Sequence, residues 1–183
     1  MEKKVLNYCV AGYIFVSILG SLSHFFYDWS GGNFLVALVC PVNESTWEHM
    51  KLLFFPVVLY TIFWPGQCRK ERQITAGMLL ANIFGIISIP VLFYSYSGIY
   101  GKNLSFIDIS IFFISVFVVF YLAYNWIVRR TEKGNKNCRG LLYWNVEKYE
   151  VILIVVSFLL AICFFVFTFY PPEWGIFKEP EGK

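Results

Sequence analysis

Charge is scarce in this chain: Asp, Glu, Lys and Arg make up 15 % of 183 residues, against about 25 % in an ordinary soluble domain. A formal net charge of +3 is too small to imply a nucleic-acid partner. Five cysteines, at 9, 40, 68, 138 and 163, form no C-x-x-C pair, which excludes a zinc ribbon and a dithiol redox motif. H-E-x-x-H is absent, and two histidines leave no room for a three-histidine metal site. Gly12, Gly20, Gly77 and Gly85 include no G-x-x-x-G pair, only two wider spacings. The MEKK start runs into apolar residues from Val5 past Ser23 with no A-x-A-like cleavage site, so it reads as a retained first helix and not as a signal peptide.

What fills the space is apolar: 58 % hydrophobic and 21 % aromatic residues. A soluble fold of this size leaves too much surface in water to bury that much Phe, Tyr and Trp, so lipid is the expected solvent. Crossing roughly 30 Å of hydrocarbon takes about 20 mainly apolar residues. Five stretches qualify, at 5–27, 46–64, 74–96, 105–128 and 150–170. The expected fold is therefore all-α, a polytopic membrane protein with five transmembrane helices in one domain, 1–183. Residues 31–42, GGNFLVALVCPV, are too short to span and bounded by Gly-Gly and Pro, as in a re-entrant or interfacial segment. All six tryptophans fall near an expected helix end, where an amphipathic ring favours the headgroup level. Pro56 and Pro90 lie inside spans, which membrane helices tolerate.

Lys and Arg accumulate on the cytoplasmic side of a membrane. Five spans place the N-terminus and the loops around 65–73 and 129–149 on one side, and with them eleven of the fifteen Lys and Arg. That side is the cytoplasm, so the N-terminus is inside and the C-terminus outside, and the expected location is a bacterial cytoplasmic membrane. The basic stretch 129–148 carries this topological signal, and each basic residue near the surface adds about 1 kcal/mol of attraction to anionic lipids. A protein partner or a homo-oligomer stays open.

Ionisable groups against a membrane are costly and tend to be functional. They concentrate at the end of the first span, Ser23-His24-Phe25-Phe26-Tyr27-Asp28, and the start of the second, Asn43 to Lys51. His24 and Asp28 share one helix face, as do Glu44 and Glu48; His49 is offset from Glu48 by about 100°. Antiparallel neighbours would bring two imidazoles and three carboxylates together beneath the 31–42 segment. That chemistry suits a divalent metal such as zinc, with His24, Asp28 and His49 as metal ligands and Glu44 and Glu48 as candidate general bases. Asn43 and Lys51 would complete a ligand site, with Asn82 and Asp108 as further polar candidates.

A structural alternative uses the same residues. Ser45 followed by Glu48 matches a capping box, Asn43 is a second possible cap, Lys51 can pair with Glu44 or Glu48, and His24 with Asp28. Asn82 can join helices by hydrogen bonding, and Asp108 suits a helix N-terminus. The aromatic, proline-rich tail at 169–177 ends the last span and could fold over the polar residues as a cover.

The strings SHFFYDWSGGN (23–33), PVNESTWEHMKLLFFP (41–56) and FTFYPP (167–172) resemble a family of small multi-pass membrane proteins from Firmicutes, a domain of unknown function. The resemblance covers essentially the whole chain and implies a bacterial membrane protein, but it brings no activity or ligand residues. Three functions fit the sequence: a metal-dependent membrane hydrolase, a small transporter or transporter subunit binding a cation or solute in the same cavity, and an accessory or assembly protein whose polar cluster is structural.

Overall fold

A computed structural model describes residues 2–63, 71–134 and 141–180, and side chains within 2–63, 74–129 and 149–180. Six α-helices follow in chain order among the described residues: α1 (Glu2–Trp29), α2 (Phe34–Val39), α3 (Thr46–Ile62), α4 (Glu71–Tyr100), α5 (Ser105–Gly134) and α6 (Leu141–Phe169), with a 3-10 turn at Gly175–Phe177. No strand occurs among the described residues.

Four of the helices are long and apolar enough to cross a membrane: Glu2–Trp29, Ile74–Tyr100, Ser105–Arg129 and Tyr149–Phe169. The fifth expected span corresponds to α3, which has 17 residues and so rises only about 26 Å. Its setting explains how so short a helix is housed. It lies against α1, α4 and α6, and Leu53, Phe54 and Val57 are almost completely buried. By contrast, the apolar window of α6 is 6 % buried.

Contacts along the helices set their directions. Tyr60 near the end of α3 donates to the Tyr8 carbonyl near the start of α1 at 2.8 Å, while His24 and Glu44 meet at the opposite end, so α1 and α3 are antiparallel. Ser88–Ser115 and Tyr96–Asp108 contacts make α4 and α5 antiparallel. Thr168 beside Glu48, with Phe164 against Phe54 and Phe55, does the same for α3 and α6.

Glycines set the closest approaches. A Cβ on Gly12 or Gly20 would lie 2.3 Å from the Phe120 ring or 2.6 Å from the Phe112 ring; one on Gly77 or Gly85 would meet Trp126 at 2.6 Å or Val119 at 2.2 Å. The two wider spacings are thus matched notches, each filled from α5. Gly20 also lies close to the Leu52 carbonyl, which Pro56, lacking an N–H, leaves without its helical donor.

One boundary differs from the sequence reading. The stretch read as a basic loop is largely helical, since α5 continues to Gly134 and α6 begins at Leu141: charged residues leave hydrocarbon, but the backbone ladder can continue beyond it. Within 31–42 there is a short helix, α2, capped by the Asn33 side chain, which accepts from Leu35 N–H at 2.9 Å. Gly31 and Gly32 adopt φ of 68° and 77°, a region open to glycine at little cost, and so turn the chain from α1 into α2. The basic residues at 69, 70, 136 and 139 and Trp64 lie outside the described residues, as do the side chains of Arg72, Arg130, Lys133, Trp144 and Lys148.

Candidate metal centre

The end of α1 and the start of α3 bring three of the expected residues together. His24 Nε2 lies 3.6 Å from Glu44 Oε1, and His49 Nε2 lies 3.8 Å from Glu44 Oε2. The imidazole centroids are 5.3 Å apart. One ligand atom from each of the three residues lies within 4.8 Å of the others. Tetrahedral zinc with bonds of about 2.0–2.1 Å needs donor atoms about 3.3 Å apart, so closure takes roughly an ångström of side-chain movement.

Local structure orients these groups. Ser45 caps α3, its hydroxyl accepting from Glu48 N–H at 3.3 Å, and Asn43 Oδ1 accepts from Ser45 N–H at 3.0 Å. The Ser45 carbonyl faces His49 Nδ1 at 2.9 Å. In the neutral imidazole the proton then sits on Nδ1, leaving the Nε2 lone pair directed at Glu44, an outer-shell bond of the kind that orients metal-binding histidines. His24, Glu44 and His49 side chains are 34, 38 and 28 % exposed, so solvent reaches them. Asp28 and Asn43 join His24 and Glu44 in lining an open cleft of about 60 Å³, with Tyr27, Pro41 and Val42 completing its wall.

Glu48 is not part of this cluster. It turns inward, with its side chain 2 % exposed, and pairs at 2.8 Å with Lys51, whose side chain is fully buried. Lys51 also donates to the Ala37 carbonyl at 2.9 Å and contacts the Thr168 hydroxyl. Glu48 accepts from Val42 N–H at 3.1 Å and lies 2.9 Å from Thr168 Oγ1. Only half of the capping box forms, because the Glu48 carboxylate reaches Val42 and Lys51 instead of the Ser45 N–H. Of the five groups the sequence reading has converging, the structure brings His24, Glu44 and His49 together, leaves Asp28 in the cleft wall and sends Glu48 into a buried ion pair with Lys51. Burial raises the nearby Cys40 thiol above its ordinary value, with the Lys51 charge acting in the opposite direction.

Asn82 and Asp108 lie elsewhere. Asn82, fully buried in α4, donates to the Phe54 carbonyl of α3 at 3.3 Å. Asp108 accepts from the Tyr96 hydroxyl, which in turn accepts from Leu104 N–H at 3.2 Å, fastening the start of α5 to α4. The tail packs Phe177 on Trp47 and Phe167, with ring centroids 4.9 and 5.3 Å apart, and contributes no residue to the cleft wall. Thr168 escaped the sequence reading, although a single threonine in the aromatic run FFVFTFYPP was a readable signal.

An all-helical chain with four helices fit to span a bilayer has the makeup of a multi-pass membrane protein. It belongs to the family of unknown function DUF6512, whose model matches residues 1–182. No curated protein and no solved structure matches it.

Proposed function

We propose that this is a five-span protein of a bacterial cytoplasmic membrane, N-terminus inside and C-terminus outside, that binds a divalent transition metal at its outer face through His24, Glu44 and His49. The observation that carries the reading is the grouping of two imidazole nitrogens and a carboxylate within 4.8 Å. Imidazole favours zinc and its neighbours over calcium or magnesium. Alternating helix directions and the bias of basic residues support the orientation, with α3 as the enclosed fifth span.

Asp28 is the carboxylate left in the cleft wall. In a hydrolase, the metal would acidify a bound water and Asp28 would be the group placed to take its proton; Glu48 is held by Lys51 and Val42. Metal analysis of detergent-purified protein tests the binding claim. About one zinc or cobalt ion per chain is expected after loading, with loss in His24→Ala and His49→Ala. A wild-type protein that takes up neither ion, and gains no thermal stability from either, would remove the proposal.

A further inference from the structure

Resting on that metal reading, we infer that Lys51 and Glu48 are positioning residues for the site: they hold Glu44 between the imidazoles without touching the metal. Glu44 follows a segment that has little regular structure of its own between the end of α2 and the Ser45 cap. What fixes that segment comes from beneath. Lys51 Nζ binds the Ala37 carbonyl in the last turn of α2, where a cation also complements the helix dipole. The partner carboxylate of Glu48 binds the Val42 N–H, two residues before Glu44. One buried ion pair therefore grips both sides of the Cys40–Pro41 bend. Its position is set in turn by α3, which carries His49, and by Thr168 of α6, whose hydroxyl contacts both charged groups.

The arrangement relates the two polar clusters. A satisfied buried pair is poor evidence of stabilisation, since apolar replacements often serve as well, and its best-attested role is to specify one geometry. Here the geometry specified is that of the chain delivering Glu44. His24 and His49 sit within the regular helices α1 and α3 and need no such support.

Cobalt binding to the full-length protein in detergent tests the inference, using Glu48→Gln/Lys51→Gln, which removes both charges together, and the milder Thr168→Val. Outer-shell changes typically cost about 10–100-fold in metal affinity. The double variant is expected in that range and Thr168→Val nearer its lower end. Loss of the carboxylate ligand should also weaken the visible Co²⁺ absorption, as coordination shifts from four or five ligands towards six. A purely structural role would lower the unfolding temperature while leaving affinity and spectrum at wild-type values, and that outcome overturns the inference. Should the double variant fail to fold, Thr168→Val decides: wild-type affinity and spectrum sink it. Absence of cobalt binding by the wild-type protein would instead defeat the underlying metal reading.

Discussion

The helix contacts of α5 and the polar end shared by α1 and α3 solve opposite problems. Along α5, apolar helices must approach without help from water, because lipid is as apolar as their own side chains; association then depends on close packing and small residues. Gly12 and Gly20 of α1, and Gly77 and Gly85 of α4, supply that by receiving Phe120, Phe112, Trp126 and Val119. At the polar end, the α3 start and the segment before it are held by charge and hydrogen bonding. Even there the two polar clusters differ: Glu48 and Lys51 are buried and their hydrogen-bonding groups engaged, whereas His24, Glu44 and His49 are partly open to solvent. A group buried beyond reach of water needs its partner in the fold; a group at the surface can exchange a protein partner for water or an ion.

That contrast can be broken by mutation. The largest effect is expected from Lys51→Met, which strands the Glu48 carboxylate without its counter-ion and should cost about 3–5 kcal/mol, read by unfolding in detergent. A loss below about 1 kcal/mol would mean that Glu48 finds another partner or a proton cheaply. Next comes Gly85→Ala, whose new Cβ would sit 2.2 Å from Val119 Cγ2; overpacking of this kind costs about 1–3 kcal/mol. Gly98→Ala, whose added carbon would meet nothing within 4 Å beyond the local helix backbone, is the matched control and should be neutral or slightly stabilising. Equal effects at the two glycines would contradict the notch.

Asn82→Leu removes one interhelical hydrogen bond and should cost about 0.6 kcal/mol, the average for such bonds within membranes. A loss several times larger would indicate a wider polar network around α4. The smallest change in metal-free stability is expected for His24→Ala and His49→Ala, about 0.5 kcal/mol or less, because their part-exposed contacts with Glu44 lie at 3.6 and 3.8 Å. Both should nevertheless abolish the stabilisation by metal, which reaches about 2.7 kcal/mol for wild type at a hundredfold excess over Kd. Thermal shift with and without zinc separates the two quantities.

Much of the fold was legible because its signals are local. Runs of apolar residues mark α1, α4, α5 and α6, since each helix closes its backbone hydrogen bonds within itself. The Ser45 cap was readable in the same way, from a hydroxyl three residues before the Glu48 N–H that donates to it. The pairing of glycines with α5 was not, because an eight-residue spacing names a face without naming what fills it. The extension of α5 and α6 into the basic stretch was missed because composition marks where hydrocarbon ends and not where a helix does.

The sequence by itself determined an all-helical chain suited to lipid, and it determined that the ionisable groups set against the apolar spans cluster where α1 ends and α3 begins, because composition and spacing are properties of the chain alone. Which carboxylate faces the imidazoles was decided only by the tertiary structure. Glu44 and Glu48 lie one helical turn apart by count, yet Glu44 precedes the cap and is free to reach His24, while Glu48 lies inside α3 and points at Lys51 and Thr168. Thr168 comes from the far end of the chain, and its distance in sequence from Glu48 is the physical reason that no local pattern could announce the pairing.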